Sequence, residues 1–169
     1  MSAENTQYVN YLIELSQSGR KNAYFDLCSI ILRSVFTLVF RIVKDYRLSK
    51  KITLAAFVLG WDNIKKYNIE TSFVIWLKDF AVRYSMKELE KGTPGISNNQ
   101  QSKEINYTLT ELEEHIFSLP NEERLIFVLH DMEGYSYKEI ESFIPDLSID
   151  EIKSKLIATR GYLMSKLDL

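Results

Sequence analysis

The chain has 169 residues, of which 46% are apolar and 26% charged, and its formal net charge is −2. That apolar fraction is ample for a folded core, which excludes a disordered tail, and the length suits one large or two small domains. With only 6 glycines and 3 prolines, the composition favours an all-α fold with short connections over a turn-rich β fold.

Cysteine content and hydropathy bear on the cell compartment. The single cysteine, Cys28, excludes an internal disulfide and suits a reducing cytoplasm. The first residues, MSAENTQ, lack the charged start and apolar stretch of a secretory signal. The most apolar segment, residues 30–40, contains Arg33 and is too short to span a bilayer, so no membrane partner is expected.

Four helices are predicted in the first half of the chain, and helices of this kind can close one small bundle. They cover about residues 7–18, 22–44, 49–66 and a stretch that Thr71 can cap, and Gly19 is expected to end the first of them. Phe73, Trp76 and Phe80 follow helical spacing and are expected in the core, whereas Tyr67 and Tyr84 are the aromatics expected at a surface.

A polar stretch with Gly92, Pro94 and Gly95 follows, and it predicts a flexible linker over residues 92–106. This linker divides the chain into a first domain, residues 1–91, and a second domain, residues 107–169. Lysine and arginine outnumber carboxylates by 5 in residues 1–91, while carboxylates outnumber them by 7 in residues 92–169. Halves of opposite charge suggest different partners for each, although both can also be ordinary solvated faces.

The second half predicts a helix from near Leu109 to Ser118 and another from Pro120, which Gly134 ends. Two further helices are each marked by a capping box, in which a serine caps the helix and a glutamate three residues later reciprocates. The serine–glutamate pairs are Ser136 with Glu139 and Ser148 with Glu151.

The last two helices are joined by a short turn and the second carries cations, which is the outline of a DNA-reading helix-turn-helix. The first has Ile140, Phe143 and Ile144 on one side and is stopped by Pro145. Any pair of packed helices gives a similar pattern, and basic residues late in a helix also suit its dipole.

The whole pattern resembles the sigma-70 family of bacterial transcription initiation factors, in its small extracytoplasmic-function form. The stretches SLPNEERLIFVLHDMEGYSYKEI and SIDEIKSKLIATR look like the promoter-binding fourth region of the family. The stretches AAFVLGW and SFVIWLKDFAVRYSMKEL are similar to its second region. The resemblance implies a four-helix region 2-like bundle and a region 4-like helix-turn-helix domain, joined by a flexible linker.

The resemblance also implies partners and site residues. A factor of this type binds core RNA polymerase and promoter DNA, and a separate anti-sigma factor is a further candidate partner. In the second domain the residues at DNA-contacting positions are Ser148, Ile149, Lys153, Ser154, Lys155 and Arg160. The cations that could hold melted promoter DNA in the first domain are Lys65, Lys66, Lys78, Arg83 and Lys87. The polymerase-binding candidates are Lys51, Leu54 and Phe57.

Two departures from the family pattern bear on function. The run from Lys51 to Leu54 stands where the family usually has an acidic, Asp-Leu-Val-Gln-like run that forms part of the polymerase-docking surface. In addition, Asp150 and Glu151 begin the predicted recognition helix, where carboxylates suit the helix dipole but repel phosphates.

Two other functions are alternatives to that of a sigma factor. A divergent sigma-like regulator that acts by protein–protein contact would explain the acidic second domain and the altered docking run. An enzyme is disfavoured because His115 and His130 are the only histidines and no second cluster completes a site. No catalytic residue, cofactor or metal ion is therefore expected.

Overall fold

The computed structural model describes residues 3–91 and 110–167 of the chain. These residues form eight α-helices, a short 3₁₀ helix and one π-helical turn, with no strand among them, so the predicted all-α fold is confirmed. The first four helices are α1 (Ala3–Gln17), α2 (Lys21–Val43), α3 (Tyr46–Asn63) and α4 (Phe73–Glu90). The others are α5 (Glu111–Ser118), α6 (Asn121–Phe127), α7 (Tyr137–Phe143) and α8 (Ile149–Lys166). The predicted linker, residues 92–106, lies outside the described residues.

The chain divides into two compact units. The first unit contains Met1–Val39 and Arg47–Ser85, and the second contains Phe40–Tyr46 and Met86–Leu169. The last turn of α2 therefore belongs to the second unit, together with the C-terminal helices. The domain limits at residues 91 and 107 stay a prediction. None of the described helices is both long enough and apolar enough to cross a bilayer.

In the first unit, α1 to α4 contribute to one apolar core. Its deeply buried side chains include Leu27, Val35, Leu38, Ile52, Ala56, Leu77 and Val82. Gly60 lies where three helices approach closely, since a methyl group there would collide with the Tyr24 hydroxyl of α2 and with Leu77 of α4. Gly19 follows α1 with a φ of +91°, a left-handed conformation that glycine adopts without strain, and it ends the helix as predicted.

One aromatic prediction for this unit is wrong. Tyr67, expected at the surface, is only 8% exposed. Its hydroxyl donates to the carbonyl oxygen of Thr71 at 2.7 Å, and its ring packs against Phe73 and Trp76. Burying the ring while its hydroxyl is hydrogen-bonded satisfies both ends of the side chain. α4 begins at Phe73, two residues after the cap that the sequence suggested.

The second unit is built around α8, which packs on α5, α6 and α7. Its core side chains are Ile116, Leu125, Ile126, Leu129, Ile140, Ile152, Leu156 and Leu163. α6 continues into the π-helical turn Val128–Met132, where the Glu133 amide donates to the Val128 carbonyl at 3.1 Å. Gly134 then has a φ of +79° and ends this segment, as predicted.

A fully buried arginine joins the last turn of α2 to the start of α6 within the second unit. Arg124 donates to the Ile42 carbonyl oxygen from Nε at 3.1 Å and from Nη2 at 2.9 Å. It also donates to the Leu119 carbonyl at 2.7 Å and to Oδ1 of Asn121 at 2.6 Å. All these acceptors are neutral, and burial lowers the pKa of Arg124 to about 10.

Candidate nucleic-acid interface

The predicted helix-turn-helix is present as α7, a short turn and α8. Both predicted capping boxes are confirmed. The Ser136 amide donates to Oε2 of Glu139 at 2.7 Å, and the Ser148 amide donates to Oε2 of Glu151 at 2.8 Å. Hydrogen bonds from these serines hold the pKa of each glutamate below its usual value. The boxes satisfy amide groups that would otherwise lack a partner at the starts of α7 and α8.

The turn brings the buried sides of the two helices together. α7 ends at Phe143, and the Leu147 amide donates to the Ile144 carbonyl oxygen at 3.1 Å within the turn. Residues buried along α8 recur every three or four positions, as one face of a helix requires. They are Ile152, Leu156, Thr159 and Leu163.

The side of α8 that points away from this core is accessible. Ile157 is 68% exposed and Met164 is 55% exposed, and Ser154 and Gly161 are exposed on the same side. The exposed middle of α8 therefore carries apolar and small side chains beside the cations Lys153 and Arg160, which are also exposed. An accessible helix of this kind can enter a major groove, and such a surface also suits contact with another protein.

Lys155 lies between two carboxylates of α6. Its Nζ is 2.6 Å from Oε2 of Glu122 and 3.2 Å from Oε1 of Glu123. Hydrogen bonds to these glutamates, Glu122 first, raise the pKa of Lys155. About a third of the Lys155 side chain remains exposed, so water and other anions still reach it.

Arg160 is bound to the π-helical turn. Its Nε and Nη2 donate to the two oxygens of Asp131 at 2.8 Å and 2.5 Å. His130 Nδ1 lies 2.7 Å from Oδ1 of the same carboxylate, and the imidazole stacks on the Tyr137 ring at 4.5 Å between centroids. Hydrogen bonding from Arg160 is the main reason why the pKa of Asp131 is lowered.

Lys153 lies closer to solvent than the other two cations. Its Nζ is 3.4 Å from Oδ1 of Asp150 and 5.7 Å from the centre of the Tyr137 ring. The Asp150 carboxylate is almost fully exposed, so this pair is weak and easily exchanged. Ser148 caps α8, and Ile149 is half-buried beside it.

Each of the three cations predicted to contact DNA from α8 thus has a carboxylate partner inside the second unit. Sequence reasoning did not find the partners of Lys155 and Arg160. Those pairs join residues about 30 positions apart, and no local spacing rule relates them. The excess of carboxylates over cations in the second half indicated that carboxylate partners were available, but it did not identify the pairs.

The cations predicted in the first half lie in different environments. Lys65 and Lys66 form part of the 3₁₀ helix that follows α3, and both are exposed. Arg83 and Lys87 are exposed on α4. Lys78 differs because it is only 8% exposed, so it does not present its charge to a surface as the sequence suggested.

The polymerase-binding candidates lie on α3. Lys51 is exposed, Leu54 is 66% exposed and Phe57 is half-buried. Val58 lies one turn beyond Leu54 and is 53% exposed, which adds a second aliphatic side chain to this side of the helix. The accessible residues of α3 therefore include both a cation and apolar side chains.

Among the described residues, no group of three His, Cys, Asp or Glu side chains is arranged to hold a metal ion. His115 lies in the last turn of α5 and is half-buried. The carboxylate next to His130 is engaged by Arg160, as described above.

Comparison with known proteins gives relatives but no matching family model. The chain is 21% identical over 180 residues to the ECF RNA polymerase sigma factor SigW of Bacillus subtilis, covering 92% of this chain and 94% of that protein. CnrH, solved in complex with the cytosolic domain of CnrY, superposes with a TM-score of 0.65 at 17% identity, covering 95% of this chain and 97% of CnrH.

A second solved structure has the same fold. The sigma factor RpoE from Bartonella quintana, solved in complex with the anti-sigma factor NepR, gives a TM-score of 0.61 at 13% identity. It covers 86% of this chain and 97% of that one. In sequence and in fold, the chain is similar along most of its length to known proteins that include sigma factors, which confirms its resemblance to the extracytoplasmic-function sigma factors.

Proposed function

We propose that the chain is a sigma factor that binds core RNA polymerase and directs it to promoter DNA. The observation that carries this proposal is the similarity to the sigma factor SigW over 92% of the chain. The capped helix-turn-helix at the C-terminal end supports it, because an accessible helix after a tight turn is the usual device for reading a major groove.

In this proposal α8 enters the major groove of the upstream promoter element. Ser148, Ile149 and Ser154 lie on or beside its first turns, where side chains reach base edges. Lys153, Lys155 and Arg160 supply positive charge toward phosphates. Phosphates must compete with the carboxylate partners of these cations, so base contacts must supply more of the binding free energy.

The first unit would hold melted promoter DNA and dock on polymerase. Lys65, Lys66, Arg83 and Lys87 are accessible cations that can follow a single-stranded backbone. Lys78 is left out because its side chain is buried. The docking surface would be the accessible side of α3, centred on Leu54, with Lys51 and the half-buried Phe57 beside it.

An inhibitory protein is a natural further partner. RpoE was solved with the anti-sigma factor NepR, and CnrH with the cytosolic domain of CnrY. We extend this arrangement to the present chain because its fold matches both. The exposed apolar residues of α8 and α3 would give such a partner surface to cover.

The direct test is co-elution of the purified chain with core polymerase from the native cell extract, followed by transcription from genomic templates. We expect a stable complex and transcripts that start at discrete positions. Leu54→Asp should weaken the complex, because it places a desolvated charge in the contact. Ile69→Asp is the matched control, since Ile69 is also highly exposed in the first unit but lies outside α3. Failure of the wild-type chain to co-elute with core polymerase would reject the proposal.

A second candidate function is a sigma-like regulator that acts by protein–protein contact. The observation in its favour is that Lys153, Lys155 and Arg160 of α8 each pair with a carboxylate. Footprinting of the polymerase complex separates the two functions. Protection of a defined upstream sequence supports the sigma factor, and binding without sequence preference supports the regulator.

A further inference from the structure

We propose that Glu122, Glu123 and Asp131 limit the affinity of α8 for duplex DNA by holding Lys155 and Arg160 in ion pairs within the second unit. This inference rests on the proposed function, since it concerns the same DNA-reading helix. It assigns a role to three carboxylates that the resemblance to sigma factors leaves without one.

Lys155 faces more negative charge than it can neutralise. One ammonium group faces two carboxylates, at 2.6 Å from Glu122 and 3.2 Å from Glu123, so the three side chains together carry a net negative charge. A phosphate that approaches Lys155 therefore meets repulsion from the second glutamate as well as attraction to the lysine. Because the cluster is partly exposed, this field acts on a DNA backbone within a Debye length of it.

Arg160 is also held within the second unit, by Asp131. Its two-point hydrogen bonding to Asp131 is the geometry in which guanidinium and carboxylate groups attract most strongly. Nη1 is the remaining group of this guanidinium with no protein hydrogen bond among the described residues. A phosphate must therefore bind Arg160 through Nη1 or displace the carboxylate, and both options reduce the gain in binding free energy.

Ion pairing of these cations should weaken non-specific binding to duplex DNA. Affinity for any duplex comes mainly from cations that neutralise phosphates and release condensed counterions. A cation already neutralised by a carboxylate contributes less to that release. The second unit would then bind random duplex weakly, and α8 would engage DNA mainly where base contacts or a bound polymerase add free energy.

The same ion pairs also admit the opposite interpretation, in which they favour DNA binding. The two interpretations predict opposite changes in DNA affinity when the carboxylates are removed. Carboxylates can orient a lysine or arginine so that it meets a phosphate at lower entropic cost. In that case, removing the carboxylates weakens DNA binding. If they limit the affinity, as we propose, removing them strengthens DNA binding and makes it more sensitive to salt.

The experiment compares the full chain with Glu122→Gln/Glu123→Gln by fluorescence anisotropy on a mixed-sequence duplex oligonucleotide. We expect the double variant to bind about five- to tenfold more tightly, and log Kd to rise with log salt by about one unit more than for the wild type. Asp131→Asn should shift both quantities in the same direction.

The matched control is Glu111→Gln/Glu114→Gln. These two glutamates lie in the first turn of α5, as Glu122 and Glu123 lie in the first turn of α6, so the change in net charge and helix dipole is equal. Neither pairs with a cation of α8. Thermal unfolding of all variants by circular dichroism identifies any that fail to fold, and the single variant Glu122→Gln then replaces the double one.

A double-mutant cycle with Lys155→Gln tests the mechanism directly. In the wild type, Lys155→Gln should change the affinity for the duplex less than twofold, because that lysine is already neutralised. In the Glu122→Gln/Glu123→Gln background, it should remove most of the gain.

Each outcome of these measurements decides between the alternatives. Unchanged or weaker binding by Glu122→Gln/Glu123→Gln overturns the inference, and so does an equal gain in the α5 control. Selective binding of promoter DNA by the wild-type chain with core polymerase is measured separately. The proposed function can therefore stand while this inference fails, and a failure of the proposed function is seen in its own measurement.

Discussion

Arg160 of α8 donates to both carboxylate oxygens of Asp131 in the π-helical turn, 29 residues earlier in the chain. His130 approaches the same carboxylate and stacks on Tyr137, the first residue of α7. The ion pair thus links α8 to the segment between α6 and α7. We expect it to contribute to the stability of the second unit as well as to its DNA affinity.

The Asp131 pair predicts a dependence of stability on pH. The pKa of Asp131 is lowered from 3.8 in the folded chain, so its contribution is present above that unfolded value and is lost as the pH falls through the folded pKa. Asp131→Asn should lower the melting temperature at neutral pH. The difference from the wild type should shrink steadily below about pH 4. Thermal unfolding followed by circular dichroism across this range measures it, and a difference that stays constant at low pH would contradict the assignment.

Arg124 is expected to be the most costly cation to replace. Arg124→Met removes both hydrogen bonds to the Ile42 carbonyl oxygen and the two hydrogen bonds to the other acceptors. The free energy of unfolding of the second unit should therefore fall by about 2–4 kcal/mol. Lys138→Met is the control, because Lys138 is exposed on α7 and makes no side-chain hydrogen bond in the described part of the chain. Urea unfolding of both variants gives the two free energies. Equal losses would show that the buried hydrogen bonds contribute little.

Gly60 should not tolerate even the smallest side chain. In Gly60→Ala the new methyl group would meet the Tyr24 hydroxyl and the end of the Leu77 side chain, so these two buried side chains must move. Alanine normally favours a helix over glycine by about 1 kcal/mol. A loss of about 1–3 kcal/mol is nevertheless expected because overpacking outweighs that preference. Gly161→Ala is the control, since nothing lies near a methyl group at that position, and it should stabilise the chain.

Cys28 should react slowly with thiol reagents in the folded chain. The side chain is buried in the first unit, and burial raises the pKa of its thiol from 9.0 to about 11. Both effects keep the reactive thiolate scarce and inaccessible at neutral pH. Labelling followed by mass spectrometry should therefore proceed at the rate at which the first unit opens, and it should accelerate in urea. Rapid, stoichiometric labelling without denaturant would contradict the burial of this residue.

Local sequence rules predicted the helix ends well. Ser136, Ser148, Gly19 and Gly134 lie at the ends of helices where the sequence placed them, because a cap depends on residues within one turn. The π-helical turn was not predicted, since Val128–Met132 continues the apolar pattern of α6. A one-residue change in hydrogen-bond spacing leaves no distinct mark on that pattern.

Long-range relations were beyond what the sequence could supply. The partners of Lys155 and Arg160 depend on how α6, the π-helical turn and α8 pack, and no spacing along the chain encodes them. The burial of Tyr67 depends likewise on Phe73 and Trp76, which enclose its ring. The sequence therefore placed Tyr67 and Lys78 at surfaces, although packing buries both of them.

The Arg124–Ile42 hydrogen bonds also affect how the protein can be divided for experiments. Ile42 lies in the last turn of α2, although its carbonyl oxygen receives two donor bonds from α6. A fragment that starts after the predicted linker would lack this acceptor, so the buried Arg124 would lose two of its four hydrogen bonds. The isolated C-terminal half should therefore aggregate or unfold at a lower temperature than it does in the full chain. Its stable folding would require a peptide of residues 40–46 to be supplied in trans.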